Sequence, residues 1–174
     1  QFSENIWECS SGENHLANVF IKNGFNVRTS DIIQRTETTE ILDFLSKENN
    51  KSWDGDIITN PPYKYAQEFV EKAMDIMEDG KCLCMLLKLT FLEGKKRYDM
   101  FQKYPPEQLL VFSTRVNCAH GGDFEKESEI GGAVAYLLIQ SRGRFLNMRL
   151  RCYNIFFHCI IWRASVARSG ELKR

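Results

Sequence analysis

Asp56-Ile57-Ile58-Thr59-Asn60-Pro61-Pro62-Tyr63 decides how the chain is read. The first four residues have the look of a short buried strand. The two prolines that follow forbid both a helix and ladder pairing at their positions. From Tyr65 onward Ala66, Phe69, Val70, Ala73, Met74 and Met77 fall at helical spacing, and Gly80 closes the segment. A strand therefore runs into a stiff loop and then into an amphipathic helix, the building unit of an open α/β sheet.

The same alternation extends in both directions. Asn5-Ile6-Trp7 predicts a strand ending at Glu8, and Leu16, Val19 and Phe20 predict a helix ended by Gly24. Phe25-Asn26-Val27 resumes as a second strand that ends near Asp31. Residues 36–53 fit a helix or a short strand equally well, because Ile41, Leu42, Phe44 and Leu45 satisfy both periods. Downstream, residues 81–89 predict another buried strand, and Tyr98, Phe101 and Tyr104 predict a helix stopped by Pro105-Pro106. Residues 109–112 and 133–139 predict a closing strand pair, with His120, Gly121 and Gly122 in the loop between them.

Composition fits one ordinary globular domain: 174 residues, 43% hydrophobic and 26% charged. The 23 basic and 23 acidic residues cancel, which excludes a uniformly basic nucleic-acid coat. The longest strongly apolar run, residues 155–162, is far shorter than the roughly 20 residues a membrane-spanning helix needs. The chain opens on Gln1 without a basic-then-apolar leader, so no signal peptide is read and the native start is expected upstream. Six cysteines stand at irregular spacings with no Cys-x-x-Cys pair, which argues for reduced thiols and a cytoplasmic protein. Cys82 and Cys84 are expected on one face of a strand as small buried hydrophobes. His15, His120 and His158 lack metal-ligand companions, and no metal is expected.

Ligands of open α/β sheets collect beyond the carboxyl ends of the strands. Three clusters lie at such ends. Residues 8–14 leave a strand with Glu8, turn through Gly12 and enter a helix. Asp31 follows Gly12 by 19 residues, a spacing at which an acid can bind ribose hydroxyls. Either acid alone is as readily a turn or helix cap. The third cluster, Asn60-Pro61-Pro62-Tyr63, combines an amide side chain, a rigid backbone with free carbonyls and an aromatic ring. These groups suit an exocyclic amino group, a poor nucleophile because its lone pair is delocalised into the ring. If the Asn60 amide oxygen and a neighbouring carbonyl accept its two hydrogens, the nitrogen is pushed towards tetrahedral geometry and its developing positive charge is stabilised. Tyr63 can stack on the face of the base. The bland alternative is a proline-rich turn carrying a surface tyrosine.

On these motifs the chain resembles class I S-adenosylmethionine-dependent methyltransferases over about residues 5–140, most closely the amino-methyltransferases that modify adenine N6 in DNA. Residues 8–16 look like their first motif, Asp31 like the ribose-binding acid, Asp43-Phe44 like the pair facing the cofactor adenine, and residues 56–63 like the catalytic motif. Ile58-Thr59-Asn60-Pro61-Pro62-Tyr63-Lys64 and Leu86-Leu87-Lys88-Leu89-Thr90-Phe91-Leu92-Glu93-Gly94 resemble small phage or prophage enzymes. The catalytic tetrapeptide is shared by enzymes acting on DNA, RNA and protein glutamine.

The resemblance implies a Rossmann-like α/β fold, with a mostly parallel central sheet, one antiparallel strand and helices on both faces. It implies S-adenosylmethionine as cofactor, bound by Glu8, Ser10, Gly12, Asp31, Ile32, Asp43 and Phe44. Gly12 would admit the methionine part with Glu8 nearby, Asp31 would hold the ribose, Asp43 would accept from the adenine amino group and Phe44 would pack on its ring. Asn60, Pro61, Pro62 and Tyr63 would be the catalytic residues, and a DNA adenine inside a duplex would have to be flipped out to reach them. Asn14 stands where the family usually has a second glycine. No recognition domain separates the first motif from the catalytic loop, so a recognition subunit or a homodimer is the expected partner beside DNA. The competing readings are a methyltransferase-fold binding module without catalysis, and the same chemistry on RNA adenine or protein glutamine.

Residues 1–140 form the expected catalytic domain and residues 141–174 a basic C-terminal segment. The latter holds eight basic residues against the single acid Glu171, leaving 22 acids and 15 bases in residues 1–140. Tyr153, Phe156, Phe157 and Trp162 interleave the basic residues, as in a phosphate-contacting segment, or belong to a tail with an extra strand at 155–162.

Overall fold

The computed structural model describes residues 2–112, together with the backbone of two later strands, Val134–Gln140 and Arg149–Tyr153. The elements run β1 (Asn5–Glu8), α1 (His15–Lys22), β2 (Asn26–Asp31), β3 (Glu40–Ile41), β4 (Asp56–Thr59), α2 (Ala66–Ile76), β5 (Cys82–Lys88), α3 (Tyr98–Lys103), β6 (Gln108–Phe112), β7 (Val134–Gln140) and β8 (Arg149–Tyr153). One eight-stranded sheet orders them β3-β2-β1-β4-β5-β7-β6-β8. Only β7 runs antiparallel to its neighbours, β5 and β6. The chain steps outward from β1 through β2 to β3, then returns to place β4 and β5 on the other side of β1. The order reverses between β1 and β4, and a crevice forms beyond the carboxyl ends of strands at such a switch point.

Side-chain alternation along the strands divides the core into two layers. Trp7, Ile57, Leu83, Met85, Leu87 and Leu109 face α2 and α3, where they meet Phe69, Val70, Ala73 and Met100. Ile6, Ile58, Cys84, Leu86 and Leu110 face the opposite way, against Phe20 of α1. Both faces of the central strands are thus buried, which is why their sequence reads as nearly unbroken apolar runs. Cys82 and Cys84 do stand two apart on β5; Cys84 is buried and Cys82 partly so.

One ambiguity is resolved and one boundary moves. Of the helix and the short strand that residues 36–53 allow, the structure has the two-residue strand β3 with turns on both sides, and β3 pairs with β2 through Ser30 and Asp31. Met77 is buried with the α2 face but lies one residue past the helix. The α2 helix ends at Ile76 because Trp53 donates its N–H to the Ile76 carbonyl at 2.8 Å and accepts from Glu78 at 3.1 Å, which draws Met77 into an extended conformation. The 120–122 loop and the strand expected at 155–162 lie outside the described residues. Part of the basic segment, β8, pairs in parallel with β6 at the sheet edge.

Asp56 fastens the start of β4. It is buried, accepts the Ser3 N–H at 2.6 Å and the Cys82 N–H at 2.8 Å, and its own N–H bonds Ser3 Oγ at 3.1 Å. Gly55 precedes it with no room for a side chain: a Cβ there would lie 2.7 Å from the Asn5 carbonyl oxygen and 2.9 Å from the Trp53 ring. Asp56→Ala leaves two partly buried amides without their acceptor at once. It should lower unfolding free energy by about 3 kcal/mol, measured by urea denaturation, whereas a loss below about 1 kcal/mol would mean that water replaces the carboxylate without penalty.

Candidate active site

The site is built where the carboxyl ends of β1, β2 and β4 meet. After Glu8 the chain turns through Gly12 (φ 52°) and Asn14 (φ 62°) before α1 begins. Three hydrogen bonds from backbone N–H groups, two to carbonyls and one to a carboxylate, clamp this loop and its neighbours together. Ser11 donates to the Ser30 carbonyl at 3.0 Å, Gly12 donates to Asp31 Oδ2 at 2.8 Å, and Leu42 donates to the Asp31 carbonyl at 2.9 Å. Glu8, Gly12, Asp31 and the residues leading to Asp43 are therefore brought together, in agreement with the spacing of Gly12 and Asp31.

Asn14 stands in left-handed geometry, which a short amide side chain tolerates. Its side chain is buried and fully engaged. The amide nitrogen donates to Thr36 Oγ1 at 2.6 Å and to Thr38 Oγ1 at 3.1 Å, and the amide oxygen accepts from Thr39 Oγ1 at 3.2 Å. A threonine cluster thus holds the Asn14 amide. Sequence reading missed Thr36, Thr38 and Thr39, because a polar run of this kind reads as an ordinary loop and its partner is more than 20 residues away.

Glu8 is buried at 3% exposure, and its Oε2 has no hydrogen-bond partner among the described residues. Burial pushes its carboxyl well above the ordinary range; the Ala17 backbone N–H of α1 opposes the shift and the Asp31 charge adds to it. Above Gly12 there is open space, with no atom within 4 Å of where a Cβ would sit. Asp31 is nearly buried, and its Oδ1 accepts from the Ile33 N–H at 3.2 Å and from Arg35 at 3.4 Å. Ser10 is half-buried and Ile32 is 66% exposed beside Asp31. Asp43 is exposed, and its Oδ1 accepts the Leu45 N–H at 2.9 Å. An unpaired buried carboxyl, an open glycine and two further carboxylates suit a ligand bearing positive charge and hydroxyl groups.

Phe44 requires a correction. Its ring is 1% exposed and packs edge-on against Trp7 at 5.3 Å and at a tilt against Phe69 at 5.0 Å. It supports the Asp43 turn from within the core, and its faces are not offered to a ligand.

The catalytic-loop candidates follow β4. Thr59 at the strand end is buried with its hydroxyl against the Cys9 thiol, while Asn60 is exposed, Pro61 buried and Pro62 exposed. The Pro62 carbonyl accepts the Tyr65 N–H at 2.9 Å, which starts the helical turn Tyr63–Tyr65. The Asn60 amide and the Pro61 carbonyl have no hydrogen-bond partner among the described residues. Two adjacent acceptors, the exposed Asn60 amide and the carbonyl of buried Pro61, thus follow the end of β4 without a partner among the described residues. Tyr63 is 36% exposed, and the Lys88 Nζ at the end of β5 lies 5.3 Å from its ring centroid. Lys88 was missed as a site residue because its neighbour in space, Tyr63, is remote in sequence.

Burial pushes the Cys9 and Cys84 thiols up and raises Cys82 to about 12. None is a thiolate near neutral pH, so none is a competing nucleophile. Among the described residues no group of three His, Cys, Asp or Glu could hold a metal ion, and no helix is long and apolar enough to cross a membrane.

The Glu8 carboxyl carries a pH signature. Between the ordinary glutamate value near 4.5 and its raised folded value, the native state holds a proton that the unfolded chain has released, so stability falls as pH rises through this window. Glu8→Gln cannot ionise and escapes that loss. Its stability relative to the parent should increase as pH rises above 4.5 in paired urea titrations; a difference independent of pH would mean that Glu8 ionises normally in the fold.

No protein-family model and no curated protein sequence matches the chain. Solved structures do. A Listeria monocytogenes protein described as a candidate class I S-adenosylmethionine-dependent methyltransferase superposes with a TM-score of 0.58 at 13% identity, over 95% of this chain and 65% of that one. The chain therefore spans just under two thirds of that protein's length. A Lactococcus lactis protein described as a candidate haemolysin gives 0.57 at 10% identity, over 92% and 87% of the two chains. The 1,6-didemethyltoxoflavin-N1-methyltransferase of Burkholderia thailandensis, solved with its substrate and S-adenosylhomocysteine, gives 0.55 at 7% identity, over 80% and 71%. At these identities the likeness concerns the fold. With its 3-2-1-4-5-7-6 strand order, reversed β7 and helices on both faces, the chain has the fold of the class I S-adenosylmethionine-dependent methyltransferases.

Proposed function

We propose that the protein transfers a methyl group from S-adenosylmethionine to an exocyclic amino group, adenine N6 of DNA being the favoured acceptor. The observation that carries this reading is the exposed Asn60 amide beside the Pro61 carbonyl, neither with a hydrogen-bond partner among the described residues, in a proline-stiffened loop at the switch point. The cofactor would supply an activated methyl on a sulfonium. Everything else is positioning and charge.

Glu8, Ser10 and the open backbone at Gly12 would receive the methionine end, and the orphaned Glu8 oxygen would meet its positive charge. Asp31 retains lone pairs for ribose hydroxyls while holding Gly12 in place. Ile32 offers an exposed apolar face beside Asp31, and Asp43 an exposed carboxylate for an adenine amino group. Across the crevice, Asn60 and the Pro61 carbonyl would accept the two N–H hydrogens of the target amine, draw its lone pair out of the ring and stabilise the charge that grows on nitrogen. Pro61 and Pro62 fix that geometry in advance, and Tyr63 would stack on the base. A recognition subunit or a second copy of the chain is the proposed partner beside DNA.

The Asn14 substitution does not favour a non-catalytic module, because its side chain is taken up by Thr36, Thr38 and Thr39. Asn60→Ala removes one of two acceptors for the developing charge. It should lower the transfer rate at least about 100-fold while leaving cofactor affinity within about twofold. Labelled methyl transfer to separate DNA, RNA and protein pools, with calorimetry of cofactor binding, measures both. Retained transfer with abolished binding would overturn the role of Asn60, and labelling of the RNA or protein pool alone would replace the DNA acceptor.

A further inference from the structure

The two sides of the crevice carry opposite charge. Beyond β1 and β2, residues 8–14 and 31–55 hold eight acids, among them Glu8, Asp31 and Asp43, against the three bases Arg35, Lys47 and Lys51. Beyond β4 and β5 the sign inverts: residues 60–67 contain Lys64 as their only charge, and residues 88–97 contain Lys88, Lys95, Lys96 and Arg97 against Glu93. Parallel pairing of Thr59 with Met85 sets the two basic loops side by side.

The fold arranges this basic side in a specific way. Lys88 stands over the Tyr63 ring at 5.3 Å, and Lys64 over the Tyr65 ring at 5.1 Å, so two ammonium groups flank the exposed tyrosines of the catalytic loop. Arg97 is used internally. Its guanidinium donates to the Phe91 carbonyl at 2.6 Å, the Thr90 carbonyl at 3.0 Å and the Glu93 carbonyl, which folds residues 95–97 back onto the turn that follows Lys88. Lys95 and Lys96 remain exposed on that turn. Lys64, Lys88, Lys95 and Lys96 form no ion pair with a carboxylate among the described residues. Four uncompensated cations beside a pair of amine acceptors match a polyanion whose reactive part is a base.

We infer that Lys64, Lys88, Lys95 and Lys96 form the phosphate-contacting surface of this domain, which lays a nucleic-acid strand across the carboxyl ends of β4 and β5 with its target base over Tyr63. This rests on the nucleic-acid reading of the acceptor and assigns the binding surface to the catalytic face. Phosphate contacts fix the position of a strand and carry no sequence information, so the surface would position the target while recognition is supplied elsewhere.

Fluorescence anisotropy of a short labelled, adenine-containing DNA strand tests it across a salt series. Lys64→Gln, Lys88→Gln, Lys95→Gln and Lys96→Gln combined in the full chain should weaken binding at least about tenfold. The salt slope should become shallower by about 0.7 for each phosphate that is no longer neutralised. The four Lys→Arg changes should keep affinity, Lys22→Gln on α1 should leave it unchanged, and calorimetric affinity for S-adenosylmethionine should be the same in all variants. If the combined Gln variant binds as tightly as the parent with the same salt slope, the surface is wrong while methyl transfer still stands. If the parent binds no DNA and labels only the protein pool, the nucleic-acid reading fails and this inference with it.

Discussion

The hydrogen bond from the Gly12 N–H to Asp31 Oδ2 is the constraint on which the rest of the site depends. It joins the loop after β1 to the end of β2. With the Ser11–Ser30 and Leu42–Asp31 bonds, it sets three loops from distant parts of the chain at one end of the sheet. The clamp is strong because it is charge-assisted and Asp31 is nearly buried. Its geometry needs positive φ at Gly12. That residue also leaves the backbone open to a ligand, so one glycine meets a conformational and a functional requirement together.

Much of this is legible in local sequence. The four residues of β4, the prolines after them and the helix that follows are fixed by short-range chemistry, and β1, β2, β5 and the closing pair of β6 and β7 follow from apolar runs. What escapes a local reading depends on contacts between remote residues. Met77 leaves the helical pattern because Trp53 pairs with the end of α2, and residues 36–53 form little regular structure because β2, Asn14 and the core claim them piece by piece. Phe44 shows the limit for site residues. An aromatic residue beside an acid satisfies the motif, and only the packing of Trp7 and Phe69 around it shows that its ring belongs to the core.

Charge follows the same logic at larger scale. A sum of zero conceals an acidic half of the crevice and a basic half, separated by the reversal in strand order between β1 and β4. The two halves come from different βα connections. The acidic half contains a buried carboxyl with one oxygen unpaired among the described residues, a costly feature that a cationic ligand would offset. The basic half lies beside the Tyr63 ring and the Asn60 amide. Fold alone does not imply reaction.

Calorimetric titration of the full chain with S-adenosylmethionine tests cofactor binding at this site directly. Stoichiometric binding is expected, and Asp31→Ala should weaken it strongly, because the substitution removes both the proposed ribose acceptor and the clamp on Gly12. Absence of binding at millimolar cofactor, in a chain that is folded by circular dichroism, would contradict it.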